Sequence, residues 1–539
     1  MTAQDALLKV EGLSVSFGDA EVVRDLSFHV SRGECVAIVG ESGSGKSVTA
    51  RSLLGLAGRG SRVTSSTLSL AGRDLTAASE RDWQRIRGSQ IGLVLQDALV
   101  SLDPLRPIGR EIGDVLRLHS PLSAENARSR VLELLASVGM PNPERAITQR
   151  SGELSGGLRQ RALIASAMAL DPPLLIADEP TTALDVTIQA RILDLLADVK
   201  SRGTGILLIS HDLAVVSAIA DRVLVMKGGR IVESGNTDEL LARPREGYTR
   251  RLIAAVPTDK PRRVPLVPEA MPVPTPTVPS TPDAMAPVVL EARGLTKSFP
   301  SPAGAFRAVD DVSFALRRGE TLGLVGESGS GKTTVARLVL ALAAADDGTV
   351  LLDGGAFSEL RERDRRPLRR KIGAIYQDSL SSFDPRADVR RILTDASELA
   401  PKANRQSVGE LLDAVGLSPA VANARPLHLS GGQRQRVSIA RALAARPDVI
   451  VCDEPVSALD VTIQAQVLDL LDRLQAERGL SYLFISHDLG VIRHMSDRVA
   501  VMKNGRLVET GDAARVFGDP QHPYTAQLVA DAPRLVDAL

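Results

Sequence analysis

The sequence predicts an α/β fold built twice: two tandem domains, each a mostly parallel sheet flanked by helices, with an antiparallel β-subdomain and a helical insertion. The first observation behind this is an internal repeat. GESGSGKS at Gly40 to Ser47 returns as GESGSGKT at Gly326 to Thr333, an offset of 286. Gln96 and Gln377 follow at 281, Ser155 and Ser430, Asp178 and Asp453, and Asp185 and Asp460 at 275, and His211 and His487 at 276. So small a drift over so long a period marks duplicated domains and excludes a solenoid, whose period is about 20–50 residues. The second observation is an alternation of apolar strand-like runs with helical patterns inside each copy, the mark of a parallel sheet covered by helices. The third is length: 539 residues exceed what one hydrophobic core usually serves.

Taken in order, Leu8–Phe17 and Asp25–Val30 alternate as antiparallel strands do. Glu34–Val39 reads as a buried strand, Gly45–Leu56 as a helix, Leu174–Ala177 as a strand, Ile188–Lys200 as a helix and Gly205–Ile209 as a strand. The stretch between Gln96 and Ser155, rich in Leu, Ala and Arg, reads as the helical insertion. Residues 1–256 then form the first domain and 288–539 the second. Between them, Pro257 to Pro287 holds ten of the chain's 31 prolines. Such a segment extends as polyproline II at ~3.1 Å per residue, so a spacer with a reach on the order of 90 Å is expected.

Composition removes several classes. Lys and Arg number 65 and Asp and Glu 65, so no global charge favours nucleic acid. Seven bases and two acids crowd Arg361–Lys371, but aromatics are only 3% of the chain and stacking residues are missing nearby, so this run reads as a solvated face. No apolar run approaches the roughly 18 residues of a membrane helix, and the N-terminus lacks a secretory pattern, so a cytoplasmic address is expected. Two cysteines, Cys35 and Cys452, each inside an apolar run, cannot build a disulfide framework or a Cys-rich metal module and are expected as buried core residues.

The chemistry lies in the repeated motifs. An apolar strand, then Gly40-x-x-x-x-Gly45-Lys46-Ser47, then a helix is the context of a phosphate-binding loop. Its residues Gly40, Glu41, Ser42, Gly43, Ser44 and Gly45 offer backbone amides to phosphate oxygens, with the helix N-terminus adding positive charge. Lys46 is expected to reach the β- and γ-phosphates, and Ser47 to ligate Mg²⁺. Gly326, Glu327, Ser328, Gly329, Ser330, Gly331, Lys332, Thr333 and Thr334 repeat the set, making ATP with Mg²⁺ the expected cofactors. LLIADEP and VIVCDEP each end an apolar strand in two acids. Asp178 and Asp453 are expected at the metal, and Glu179 and Glu454 to polarise a water aimed at the γ-phosphate.

LSGGLRQR at Leu154–Arg161 and LSGGQRQR at Leu429–Arg436 resemble the signature motif of ATP-binding-cassette ATPases. Both copies also carry a Gln at the head of the insertion (Gln96, Gln377), an ALD tripeptide (Ala183–Asp185, Ala458–Asp460) and an ISHDL segment holding His211 or His487. The resemblance covers nearly the whole chain outside the linker. It implies a head-to-tail pair of cassettes with two composite sites. In one, Lys46, Ser47, Gln96, Asp178, Glu179 and His211 meet Ser430, Gly431 and Gly432. In the other, Lys332, Thr333, Gln377, Asp453, Glu454 and His487 meet Ser155, Gly156 and Gly157. Gln96 and Gln377 join the metal ligands, the two histidines contact the γ-phosphate, and an aromatic ahead of each loop stacks on adenine. Phe17 fits the first copy; Phe299 and Phe306 compete in the second, with Phe299 favoured. Leu158 departs from Gln433 of the second copy, with the Ser-Gly-Gly before it intact.

QDALVSLDP and QDSLSSFDP, with the tails REGYTRRLIAAVP and QHPYTAQLVADAP, further resemble the ATPases of dipeptide, oligopeptide and nickel importers. That resemblance implies two transmembrane permease subunits and an extracytoplasmic solute-binding protein as partners, peripheral attachment at the cytoplasmic face of the membrane, and no nucleic acid. The alternative is a soluble tandem-cassette ATPase acting on the ribosome; its charged helical linker has no counterpart in the proline-rich segment here. The loops Leu99–Pro104 and Leu380–Pro385 are expected to dock a partner helix through Leu102 and Phe383, or else to pack on their own core.

Overall fold

The computed structural model describes the chain except residues 1–5, 97–100, 120–121, 183, 259, 268–284, 302–303, 458, 534 and 536–539. Leu99, Ala183, Ala458 and the greater part of the proline-rich segment therefore lie outside the described residues. Two compact units emerge, one of Met1–Ile253 with Pro533–Leu539, the other of Ala254–Ala532.

In the first unit, six strands run in the order Arg230–Asn236, Arg222–Lys227, Cys35–Val39, Gly205–Ile209, Leu174–Asp178 and Ile91–Val94; only the Arg222–Lys227 and Arg230–Asn236 pair is antiparallel. Every residue of Cys35–Val39, Leu174–Asp178 and Gly205–Ile209 is buried. Strands covered on both faces demand such unbroken apolar runs, which is why they stood out in the sequence. A second, antiparallel sheet is built from Ala6–Phe17, Ala20–Ser31 and three short strands. Leu8, Leu13 and Val15 from that sheet, Ala50 and Leu53 from the helix region after the glycine loop, and Ile38, Ile176 and Leu207 from the parallel sheet share one core. Each fully buried aliphatic side chain there contributes about 1.5–3 kcal/mol. The second unit repeats the plan, with strands ordered Ile372–Ile375, Val449–Asp453, Ser481–Ile485, Thr321–Val325, Arg498–Lys503 and Arg506–Asp512.

This order positions the chemistry. Adjacent parallel strands deliver their C-terminal ends side by side, so the glycine loop, His211, Asp178 with Glu179, and Gln96 all emerge from one edge, as ligand sites in α/β sheets do. The helix after the loop is shorter than the expected Gly45–Leu56: it spans Lys46–Ser52. Gly55 has φ 64° and an added Cβ would sit 2.8 Å from the Trp83 indole nitrogen, so the chain turns left-handed there and only glycine fits.

The spacer also differs from expectation, because its first third is packed on the second unit. Arg262 pairs with Asp497 and donates from Nη2 to Gln475 Oε1 at 2.7 Å and Thr321 Oγ1 at 3.1 Å. The Asp469 carboxylate accepts from the amides of Leu266 and Val267, each at 2.9 Å, and Leu266 is fully buried. Comparison of the two copies shows what in this unit receives the segment. In the first unit Asp221, the counterpart of Asp497, is paired internally with Lys200 Nζ at 2.7 Å. The second copy has Gln475 where the first has Lys200, Asp472 in place of Ala197, and His494 in place of Ala218. Its cation arrives from outside the repeat, as Arg262.

Candidate nucleotide sites

Each glycine loop closes around its own lysine. Lys46 Nζ donates to the carbonyls of Gly40 at 2.6 Å and Glu41 at 2.9 Å, and Lys332 Nζ to those of Gly326 at 2.7 Å and Glu327 at 2.8 Å. Both ammonium groups are buried. Gly45 and Gly331 cap the following helices at φ 102° and 106°, and a Cβ at Gly331 would lie 2.2 Å from the Ala308 carbonyl oxygen. The hydroxyls of Ser44 and Ser330 are buried within the loops and have no hydrogen-bond partner among the described residues, a cost that a phosphate oxygen would relieve.

Beside the loop, Ser47 Oγ donates to Asp178 Oδ1 at 3.0 Å, and Thr333 Oγ1 to Asp453 Oδ1 at 3.4 Å. Burial, with the adjacent Glu179 carboxylate adding to it, raises the Asp178 carboxyl above its ordinary value; Asp453 is raised likewise by burial and Glu454. Asp178 Oδ2 is buried without a hydrogen-bond partner among the described residues. A hydroxyl beside a desolvated carboxylate is a hard-oxygen donor set that fits a divalent cation such as Mg²⁺.

The following glutamates sit in a different environment. Glu179 and Glu454 have φ 50° and 48°, left-handed values that cost a non-glycine residue about 1–2 kcal/mol. The conformation is held by Glu179 N–H to the Ile209 carbonyl and Glu454 N–H to that of Ile485, both 2.9 Å. Burial pushes the Glu179 carboxyl up, but the hydrogen bond and charge of His211, with help from Thr182 and Lys46, outweigh it and leave it below its ordinary value. His211 Nδ1 lies 3.2 Å from Glu179 Oε1 and Gln96 Nε2 donates to Oε2 at 2.7 Å; the second copy has 3.1 Å from His487 and 2.8 Å from Gln377. Burial opposes charge on both histidines, yet their glutamate partners raise them.

The structure therefore brings together lysine, hydroxyl, aspartate, glutamate, glutamine and histidine within each unit. The signature residues belong elsewhere in the same unit: Ser155 and Ser430 are exposed helix N-caps, and among the described residues neither bonds to that cluster. Gly157 and Gly432 serve close packing, since a Cβ would meet Ile188 at 2.5 Å or Ile463 at 2.7 Å. Ser430 and Gln433 form a reciprocal capping box, whereas Ser155, followed by Leu158, has no side-chain cap bond. Phe17 is half-buried against the first core. Phe299 and Phe306 are directly opposed cross-strand partners, 41% and 56% exposed, so they share one face of the hairpin.

Leu102 and Phe383 correct an expectation. They are 2% and 5% exposed, and the Arg441 guanidinium covers the Phe383 ring at 4.7 Å while donating to the Ser382 carbonyl at 2.6 Å. Both are core plugs, so they present no docking surface. The basic run is likewise partly structural: Arg365 and Arg369 donate to the carbonyls of Phe357 and Leu340. Cys35 and Cys452 are buried, and desolvation pushes both thiols up. Sequence reasoning missed Tyr248 and Tyr524, whose hydroxyls accept from the amides of Glu41 at 3.1 Å and Glu327 at 3.2 Å. The signal was the matching tyrosine in the two tails.

The family model for ABC transporters matches residues 23–182 and 309–457. The chain belongs to the ATP-binding-cassette transporter family. A second model, the oligopeptide/dipeptide transporter C-terminal region, matches 232–279 and 508–539 of this cassette protein. The tandem ATPase is 42% identical, over 98% of its length and 97% of the relative's, to a peptidoglycan transport ATP-binding protein, YejF, of Agrobacterium fabrum. It is 41% identical to the glutathione import ATP-binding protein GsiA of Salmonella choleraesuis, over 98% of this chain and 89% of that one. With the oligopeptide transport ATP-binding protein OppD of Mycobacterium bovis it shares 40% identity over 98% of both. A solved archaeal ribosome recycling factor, aABCE1 in complex with stalk protein aP1, matches 95% of this chain and 91% of its own at 20% identity and TM-score 0.62, a likeness of fold alone. Among the described residues no helix of the ATPase is long and apolar enough to cross a membrane.

Proposed function

We propose that this ATPase is the motor subunit of a membrane importer for peptides or related small solutes, working through two composite ATP sites. The matched pair of complete hydrolytic clusters, each in a domain with an oligopeptide/dipeptide transporter tail, carries this reading. Lys46 and Lys332 neutralise the β- and γ-phosphates, and the loop amides cradle them. Ser47, Asp178 and Gln96 in one site, and Thr333, Asp453 and Gln377 in the other, would hold Mg²⁺, which would supply charge neutralisation of the phosphates. Glu179 and Glu454, kept ionised by His211 and His487, orient and polarise the attacking water. Their depressed basicity suits that role better than full proton abstraction, for which a base titrating near the operating pH is best.

The signature segments complete the sites crosswise. Ser155, Gly156 and Gly157 serve the ATP held by Lys332, and Ser430, Gly431 and Gly432 the ATP held by Lys46. Phe17 and Phe299 stack on the adenines, with Phe306 beside Phe299. ATP then joins the cassettes, and its hydrolysis releases them. Two transmembrane permease subunits receive this motion at the cytoplasmic face of the membrane, and an extracytoplasmic solute-binding protein delivers the cargo. Deleting the chain from its host and measuring uptake of labelled dipeptides, oligopeptides and glutathione tests the assignment. Loss of uptake of at least one, restored by the intact chain, is expected. Undiminished uptake of all, with the chain sedimenting on ribosomes, would replace the importer reading with the ribosomal one.

A further inference from the structure

Glu41 is the second residue of the glycine loop, and both of its backbone groups are engaged. Its carbonyl accepts from Lys46 Nζ, while its amide donates to Tyr248 Oη at 3.1 Å. Glu327 repeats this between Lys332 and Tyr524, at 3.2 Å from the hydroxyl. The two tyrosines are 7% and 5% exposed, so water does not compete freely for these bonds. Each belongs to the eight-residue helix near its cassette's end, Gly247–Ala254 or Pro523–Ala530.

Those helices are fixed in turn. The Glu233 carboxylate accepts from the amides of Arg245 at 2.7 Å and Glu246 at 3.2 Å, and the Glu509 carboxylate from those of Gln521 at 2.9 Å and His522 at 3.1 Å. Lys227 Nζ lies 4.8 Å from the centre of the Tyr248 ring, and Lys503 Nζ 4.2 Å from that of Tyr524. Each lysine closes a strand whose hairpin touches the same loop, through Gly229 N–H to the Ser44 carbonyl at 3.1 Å and Gly505 N–H to that of Ser330 at 3.0 Å. The phosphate loop is thus held at its entry by the tail and at its middle by the hairpin, with the phosphate-binding lysine hanging from the peptide that the tyrosine pins.

We propose that Tyr248 and Tyr524 are positioning residues of the two nucleotide sites, tying the tail helix of each cassette to its own phosphate loop. The proposal rests on the ATP-site reading above and adds a direction of coupling: displacement of the tail helix lowers ATP affinity, and ATP binding steadies the tail, because binding linkage is reciprocal. A purely structural tyrosine would influence the folded fraction without changing the affinity of the molecules that remain folded.

The test is a full-length chain carrying Tyr248→Phe and Tyr524→Phe in a Glu179→Gln, Glu454→Gln background that spares the nucleotide, titrated with MgATP. The phenyl ring retains the packing while the hydroxyl is lost. ATP affinity is expected to fall about threefold to tenfold, the worth of one hydrogen bond. Peptides spanning 40–46 and 326–332 are expected to exchange amide hydrogens faster. Affinity within twofold of the parent with unchanged exchange in both loops would overturn the proposal, whatever the melting temperature does. Lys46→Ala with Lys332→Ala in the same background separates the two levels: if that pair leaves ATP binding intact, the site assignment itself fails; if it abolishes binding while the tyrosine pair leaves affinity untouched, only the coupling fails.

Discussion

Replacing Arg262 by methionine keeps most of the side chain's length and removes the guanidinium that faces Asp497 and Asp472. Asp472 is fully buried by its surroundings, and desolvation pushes its carboxyl from 3.8 to about 7 even with Arg262 and Arg263 pulling it down. That displacement alone is worth on the order of 4 kcal/mol. Burial likewise brings Arg262 down to about 10. Breaking a buried pair on one side typically costs about 3–5 kcal/mol because a desolvated charge is left behind, so the second unit is expected to melt roughly 10 °C lower. The loss has a pH signature. Asp472 has a folded value above its unfolded one, so the native state keeps a proton that the unfolded chain has released, and stability falls as pH rises from about 4 to about 7. Without Arg262 that fall extends to higher pH, so the difference between variant and parent widens from pH 6.5 to pH 8.5. His494, pushed by burial from 6.5 to about 4, contributes with opposite sign but only below about pH 6.5. Asp469, Glu320, Lys260 and Tyr482 also face the cluster and are common to both proteins. Thermal unfolding of the full chain at the two pH values, with hydrogen exchange assigning the change to Val461–Arg478, makes the measurement. A variant as stable as the parent at pH 8.5, or equally destabilised at both pH values, would refute the strap as the source of the missing cation.

Three further outcomes are expected. On the proposed crosswise arrangement Ser155→Arg and Lys332→Ala act on one site, so combining them should reduce ATP binding little beyond either alone, as residues acting in one unit do; fully additive losses would contradict that arrangement. Leu158→Gln should give Ser155 the reciprocal cap that Gln433 gives Ser430, stabilising the first unit by about 0.5–1 kcal/mol, read as a rise of roughly 2 °C in its melting temperature; an unchanged or lowered midpoint contradicts this. Removing the imidazoles by His211→Ala with His487→Ala takes away the partners that hold Glu179 and Glu454 low, so the acid limb of the ATPase pH profile should move to higher pH. In the parent, the carboxylate contribution is present above the unfolded glutamate value and is lost as pH falls through the depressed folded one. An unmoved acid limb would separate histidine from the carboxylates' ionisation.

Much of the site was legible because its chemistry is local. Lys46, Ser47, Asp178, Glu179 and His211 stand at strand ends, and the strand order alone delivers them to one edge. What the sequence concealed depends on long-range packing. Leu102 and Phe383 are apolar residues in polar loops, and nothing in a short pattern separates a core plug from a docking knob; for Phe383 the covering group is Arg441, which is 59 residues from Ser382. The first helix ends before a left-handed turn at Gly55, where Trp83 leaves no room for a side chain, a contact that no local pattern reveals. The strap was hidden in a difference between copies: Lys200 against Gln475 and Ala197 against Asp472 look like neutral drift until Arg262 is seen to supply the cation. Proline content pointed to an extended spacer and said nothing of where its first residues would bind, and those are packed on the second unit through Arg262, Leu266 and Val267.

Hydrolysis by the paired clusters is tested most directly by the double replacement Glu179→Gln and Glu454→Gln, comparing steady-state ATP turnover with equilibrium ATP binding in the same preparation. Turnover is expected to fall by about a hundredfold or more, with ATP still bound at both loops. Turnover equal to the parent's would contradict the assignment of these glutamates, and with it the hydrolytic clusters on which the importer reading stands.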